Sequence, residues 1–468
     1  MPKKVSRRVL FATAELAPLA RVGGLAAASA GIVAEMRRQG VDVNLVVPDY
    51  FGTPLEDEVV MPITTMPAWA QPAYARRGRL DGIGQITLVD TLGVRKPHPY
   101  NDEYGNGWFD NDARFLGFAA AVAAICAATQ PDILHLNDWH TSSAPAFLWP
   151  TPPVVLTIHT LGYQGRTNRG WLNGFWHFRE RYYHDDACNP LAGGIRSADL
   201  VVSVSPHYAD EIRQPWMGFG LDGLLRDKGE RLVGILNGID TVEWNPLQDA
   251  HLPQTYGQAT LSRKAASRAE LFHRFGLSDT SGPLFVMVSR LVHQKGVDLV
   301  LPLVGELEAM GARLAVLGSG DRHLADALEA AAAHLPGVIG FVNGYDEALA
   351  HQLFAGGDVL MMPSRFEPCG LAQMQAMRYG TLPLVTDVGG LHDTVIDADS
   401  SPDEATGFVA AEASTESIRD TIRRASAVVG DKKRRTAMQK RGMKIDWSWK
   451  APVAQHLDWY ERLIAERG

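Results

Sequence analysis

The sequence predicts an α/β protein built from two doubly wound, Rossmann-like domains, and three observations predict it. Short apolar runs recur along the whole chain, and each ends in a polar cluster. Helical stretches separate those runs, the alternation expected of a parallel sheet with crossover helices. At 468 residues the chain is too long for one ordinary core, so two domains share it.

The first unit opens with the strand RRVLFATA, a loop holding Arg21, Gly23 and Gly24, a helix over residues 25–39 and the strand VDVNLVVP. This is a β–α–β unit with a glycine-bearing first turn. DILHLND, VVLTIH and DLVVSVS continue the sheet, with an Ala-rich helix over 114–128 among them. VGILNGIDTVEWNP closes the domain at Pro246. The second domain, residues 247–446, has the strands LFVMVSR, ARLAVLGSG, GVIGFVN, DVLMMPS and TLPLVTD. Residues 447–468 read as an amphipathic helix that packs back on the first domain. Two such domains facing across a cleft put the carboxyl ends of their strands, where open α/β sheets bind ligands, at a shared site.

Composition excludes several classes. Hydrophobic residues make up 46% and charged residues 21%, as in an ordinary soluble globular protein. A formal net charge of −8 speaks against a nucleic-acid or anionic-membrane partner. Cys126, Cys188 and Cys369 fit neither a disulfide framework nor a zinc spacing, which favours a reducing, cytoplasmic setting. The basic start MPKKVSRR mimics a signal peptide, but Glu15 ends the apolar run too early. No apolar stretch reads as long and charge-free enough for a membrane span. The basic run DKKRRTAMQKRG, residues 431–442, reads as a solvated helix face rather than a polyanion site.

The polar clusters lie just after strands. In VSRLVHQKG, Arg290 and Lys295 are two cations over a strand end, suited to a diphosphate or merely solvated. PSRFEPCGL exposes Arg365 and Glu367 and then turns into a helix starting at Gly370, whose free N–H groups suit an anion. Glu367 is placed to accept from sugar hydroxyls, or simply to complement the helix dipole. Cys369 reads as a packing residue or a thiol at a helix start. Asp138, His140 and His159 follow strands of the first domain; they suit a hydrogen-bonding wall for a polar substrate, with no metal-ligand spacing. A buried, satisfied imidazole is the plain alternative for either histidine. Gly23 and Gly24 let backbone amides approach a phosphate, but no G-x-G-x-x-G marks a dinucleotide enzyme.

Taken in order, these motifs resemble the bacterial glycogen synthases and plant starch synthases, retaining glucosyltransferases with the GT-B fold. The resemblance spans nearly the whole chain: the Glu15, Pro18, Gly23, Gly24, Leu25 loop, NDWH, IHTLGYQG, SVSPHYADEI, GFGLDGLL, LNGIDTVEWNP, SRLVHQKG, PSRFEPCGL and YGTLPLVTDVGGLHDTV. It implies a nucleotide-sugar donor, usually ADP-glucose, an α-1,4-glucan acceptor in an acceptor-side first domain, and no further cofactor or metal. Arg290 and Lys295 would clamp the donor diphosphate, and Glu367 would hold hydroxyls of the transferred glucose. Asp138 and His159 would line the glucose pocket. Tyr345 would stack on the adenine. Arg21, Gly23 and Gly24 would close over the phosphate, and Cys369, Gly370, Leu371 and Thr381 would complete the pocket.

Four positions depart from the family pattern: Arg21 for Lys, Ala27 for Asp, Thr160 for Asn and Ala192 for Lys. All lie in the first domain. They keep open a related enzyme on a short or non-glycogen acceptor, and an impaired homologue that only binds nucleotide sugar or glucan.

Overall fold

The computed structural model describes residues 7–467, so the basic residues 1–6 of the signal-like start lie outside the described residues. The chain divides into two compact units, 1–238 with 449–468 and 239–448.

In the first unit the strands are β1 (Arg8–Ala12), β2 (Asp42–Pro48), β3 (Glu56–Pro62), β4 (Ala73–Leu80), β5 (Gly84–Thr91), β6 (Ile133–Asn137), β7 (Val154–Ile158), the short pair β8 (Tyr183–His184) and β9 (Ala187–Cys188), β10 (Leu200–Ser203) and β11 (Leu232–Gly234). All but the β8–β9 pair form one sheet in the order β11-β10-β7-β6-β1-β2-β5-β4-β3. The ladder is parallel from β11 to β5, then antiparallel through β4 and β3. β6 and β7 are buried at every residue, as strands covered on both faces are. β3 is exposed throughout, and its carboxylates meet arginines of β4: Glu58 accepts from Arg76 at 2.7 Å and Glu56 from Arg79 at 3.3 Å. Charge pairing holds this edge hairpin, and the apolar-run pattern missed it.

Helix α1 (Gly24–Arg38) packs Ala28, Ile32, Val33 and Met36 into the core beneath β1 and β2. Helix α2 (Asn111–Thr129) has the length and apolarity of a membrane span, contrary to the reading that no stretch does. It is mostly buried inside the unit, and the Arg114 guanidinium donates to the carbonyls of Pro99 and Val94 at 3.1 and 3.0 Å. The final helix, Lys450–Arg467, belongs to this unit as well: Trp449, Val453, Tyr460 and Leu463 join its core. A Cβ on Gly31 would run into the Trp449 ring, so α1 presents a glycine where that indole lands.

The second unit carries β12 (Leu284–Val288), β13 (Arg313–Gly318), β14 (Ile339–Asn343), β15 (Val359–Met362), β16 (Leu382–Thr386) and β17 (Phe408–Ala410), all parallel, in the order β14-β13-β12-β15-β16-β17. Its core joins Phe285, Met287, Leu314, Val359 and Leu384 to Ile418, Ile422 and Ala425 of the helix Thr415–Gly430. Sequence places the junction at Pro246, whereas the packing places it after Gly238. Trp244 stacks on His351 with centroids 4.0 Å apart, and Arg378 donates to the carbonyls of Thr241 and Trp244, so residues 239–246 are held by the second unit. The basic run forms the helix Lys432–Lys444. Arg434 and Arg441 donate to the carbonyls of Ala398 and Ala405, while Met438 and Met443 are buried.

Candidate active site

In the second unit, two loops leave neighbouring strands and lock together. The loop after β12 carries Arg290 and Lys295 and ends at Gly296, whose φ is +68°. A Cβ there would strike the Pro363 carbonyl, so only glycine lets this loop touch the one after β15. The seam is then stitched: the Arg365 N–H donates to the Gln294 carbonyl at 2.8 Å and Gln294 Nε2 to the Phe366 carbonyl at 3.0 Å. Arg365 forms a bidentate pair with Asp298 at 2.7 and 2.9 Å and also donates to the His293 carbonyl. It is a structural clamp.

That seam delivers Lys295 Nζ to Glu367 Oε2 at 2.5 Å, with Ser364 Oγ donating to the same oxygen at 3.1 Å. The sequence reading exposes Glu367. The structure buries it, 6% exposed, because Lys295 and Ser364 satisfy the charge. Arg290 is exposed and makes no side-chain ion pair or hydrogen bond among the described residues. Tyr345 follows β14, is 69% exposed, and its hydroxyl donates to Glu347 at 2.9 Å. Cys369 is buried, and Gly370 holds φ +73° two residues ahead of the helix Ala372–Arg378. The helix thus begins after Leu371, not at Gly370. Gln373 reaches back to the carbonyls of Cys369 and Gly370 at 3.1 and 3.0 Å and fixes that turn.

Thr381 does not join this group. It precedes β16, at the amino end of the strands, and is fully buried. Its Oγ1 donates toward the Phe354 and Gly357 carbonyls and accepts from Lys264 Nζ at 2.9 Å. Lys264 also donates to the carbonyls of Ala355 and Tyr379, at 2.6 and 3.0 Å. The hydroxyl is consumed in packing, so Thr381 is a structural residue rather than a pocket residue.

In the first unit, the cluster grows from the carboxyl ends of β1, β6 and β7. Glu15, missed as a site residue, is 5% exposed and organises the glycine loop. Its Oε2 accepts the amides of Val22 and Gly23 at 3.0 and 2.8 Å, and its Oε1 accepts the Tyr100 hydroxyl at 2.9 Å. The Gly23 N–H therefore faces a carboxylate instead of standing free for a phosphate; Gly24, exposed, begins α1. Arg21 lies exposed on that loop.

Asp138 opens the short helix α3 (Asp138–Thr141) with φ +52°, a left-handed backbone that turns its carboxylate toward the β7 loop. Its Oδ1 accepts the N–H of His159 at 2.7 Å and of Thr160 at 3.4 Å. Burial pushes the carboxyl up to about 7; the two amides oppose the shift, and the Glu15 charge adds to it. His159 Nε2 meets Asn137 Oδ1 at 2.9 Å, while Asn137 Nδ2 donates to the Ala12 carbonyl at 3.0 Å. That second bond orients the amide, so Nε2 of His159 carries the proton. Burial, helped by His456, pushes His159 down to about 3, and burial does the same to His140. Both imidazoles are neutral near neutrality. His140 stacks on Tyr100 at 5.1 Å with its Nδ1 lacking a hydrogen-bond partner. Of the departures, Ala27 is partly exposed in α1, Thr160 lies beside Asp138, and Ala192 is fully buried in the helix Pro190–Ser197.

Two family models match the chain in succession. One described as the starch synthase catalytic domain covers residues 8–227, and one described as glycosyl transferases group 1 covers residues 269–444. Two Rossmann-like units, strand-end clusters in each, and these matches define a glycosyltransferase of the GT-B class. Glycogen synthase of Marinobacter nauticus is 40% identical, covering 98% of both chains. That of Halorhodospira halophila is 41% identical, covering 98% of this chain and all of its own. Among solved structures, the catalytic domain of starch synthase IV from Arabidopsis thaliana, bound to ADP and acarbose, superposes with a TM-score of 0.87 at 28% identity, covering 98% of this chain and 99% of that one. The chain belongs to the glycogen synthase family.

Proposed function

We propose that the protein transfers glucose, with retention at the anomeric carbon, from ADP-glucose to the non-reducing end of an α-1,4-glucan. The observation that carries this reading is the second-unit cluster: Lys295 held on Glu367 at 2.5 Å, with Arg290 unpaired on the same loop. In the transfer, the bond from the anomeric carbon to the diphosphate oxygen breaks, and its electron pair leaves with the diphosphate. A hydroxyl oxygen of the acceptor bonds the anomeric carbon on the same face, and its proton passes to the departing phosphate oxygen. Charge grows on the leaving group, and that is where preorganised cations lower a barrier. Arg290 and Lys295 take the diphosphate, and Glu367 takes glucose hydroxyls when Lys295 turns to phosphate. Tyr345 offers an exposed ring to the adenine. Asp138, near half-protonated at neutral pH, and neutral His159 hydrogen-bond sugar hydroxyls from the first unit. The donor is a substrate, and the reading needs no cofactor, nucleic acid or membrane. A soluble nucleotide-sugar donor and three buried cysteines outside any disulfide agree with a cytoplasmic enzyme.

A short acceptor is the second reading. The observation that favours it is that Arg21, Ala27, Thr160 and Ala192 all sit on the unit holding Asp138 and His159. Incubation with ADP-[14C]glucose, glycogen and a maltooligosaccharide panel separates the two. Label in glycogen is expected; label in small products only selects the short acceptor. Loss of both, with donor still bound, would leave a binding homologue and overturn catalysis.

A further inference from the structure

The second unit holds a cluster to which the transfer step gives no role, although one member, Glu347, also accepts the Tyr345 hydroxyl at 2.9 Å. Residues 242–251 fold over the start of the helix Glu347–Gly356 and leave an open pocket of about 430 Å³, lined by Glu243, Gln248, Asp249, His251, Glu347 and His351. His351 is 2% exposed, yet its Nε2 has no hydrogen-bond partner. Its other nitrogen is fully committed. Nδ1 lies 2.7 Å from Asp249 Oδ2 and 3.1 Å from the Tyr379 hydroxyl, which itself donates to that same oxygen at 2.5 Å. The backbone N–H of His251 donates to Asp249 Oδ1 at 2.9 Å and fixes the carboxylate. An acceptor carboxylate on Nδ1 makes that nitrogen the N–H, which leaves Nε2 a bare lone pair. Trp244, stacked within 13° of the ring plane, sets where that lone pair points.

Two carboxylates stand close to that ring. One ligand atom each from Glu243, Glu347 and His351 lies within 4.8 Å of the others. Asp249 stands on the opposite, Nδ1 side of the ring and is not one of the three. We propose that Glu243, Glu347 and Nε2 of His351 bind a divalent transition cation, Zn²⁺ in preference to Mn²⁺, with Asp249 as the oriented outer partner of the histidine. The physical reasons are three. A buried imidazole nitrogen without a partner costs free energy unless something accepts its lone pair. A carboxylate behind the histidine raises its basicity and fixes its tautomer, the arrangement that metal-ligating histidines use. One imidazole and two carboxylates, at bond lengths of about 2.0–2.2 Å, suit zinc with an open position toward solvent. Glu347 and His351 stand one turn apart on the helix Glu347–Gly356, but Glu243 lies far upstream of both, so no local motif announces the set of three, and the sequence reading expects no metal.

The test uses the full chain, stripped by chelator and dialysed, with Zn²⁺ titrated against a fluorescent zinc chelator. One equivalent binding tighter than about 10 µM is expected. Glu243→Gln and Glu347→Gln each weaken it by about tenfold or more, and X-ray absorption on the loaded parent shows a nitrogen and oxygen shell containing one imidazole. These variants alter accessible carboxylates and spare the Trp244–His351 stack, and circular dichroism confirms that they fold. Absence of a stoichiometric site in the parent overturns the proposal. So does unchanged affinity in the double variant, which would place the ion elsewhere.

Discussion

The two strand-end clusters use charge in opposite ways. In the second unit, Lys295 and Glu367 stay within 2.5 Å of each other and Arg290 is exposed, so opposite charges are kept at the site. In the first unit, burial removes charge: Asp138 is pushed up to about 7, and His159 and His140 down to about 3. The first arrangement suits a ligand whose charge changes during reaction. The second suits neutral hydroxyls that must be held without a strong field. Similar folds therefore prepare different chemistry through whether a buried group is given a partner of opposite charge.

The sharpest way to break this contrast is Lys295→Ala. Removing one preorganised cation is expected to lower kcat by about 10²–10³-fold, read as transfer from ADP-glucose; an unchanged kcat would remove the cation from the reaction. Asp138→Asn comes next, through pH. Because the folded Asp138 titrates near 7 against an unfolded value of about 3.9, the native state holds more protons between those limits. Its contribution to stability is then full below about pH 4 and lost as pH rises through 7. The asparagine variant should gain relative stability between pH 4 and 8, by up to about 4 kcal/mol, in chemical denaturation at each pH. The two histidines act on the other limb: lowered to about 3, they withdraw stability as pH falls below their unfolded value of about 6.5. A flat difference between parent and variant would mean that Asp138 is charged in the folded protein.

Two smaller effects test packing against chemistry. Gly31→Ala pushes a methyl into Trp449 and should cost about 1–3 kcal/mol by overpacking, measured as a lower urea midpoint. Thr381→Val removes the hydroxyl shared by Lys264, Phe354 and Gly357 and should cost about 1–2 kcal/mol. The KM for donor should stay where it is. A raised KM with intact stability would return Thr381 to the pocket.

The parallel strands were legible because full burial writes continuous apolar runs, as in β6, β7 and β16. The β3–β4 hairpin was not, since arginine and glutamate pairs hold it and its strands look like loops. Lys295 and Glu367 could be picked from strand-end placement, but their contact depends on Gly296 letting two loops 72 positions apart meet. Glu15 was read as the end of an apolar run and as a member of the family's glycine loop, with no role of its own at the site. Its real work, gathering two amides and the hydroxyl of Tyr100, 85 positions away, carries no local pattern. Thr381 misled for the opposite reason: it stands near strand β16 in sequence but at the end away from the ligand-binding loops.

The last helix, which seats Trp449, Val453, Tyr460 and Leu463 among residues from β1, β2 and α1, has a consequence for biosynthesis. During translation, residues 8–238 leave the ribosome well before residues 449–463, yet they wait for that stretch before their interior is sealed. The stretch 239–448 is complete earlier, as a compact unit within one continuous segment. The portion made first is thus the portion finished last, and nascent chains stalled near residue 448 should expose the groove that Trp449 fills to chaperones and proteases.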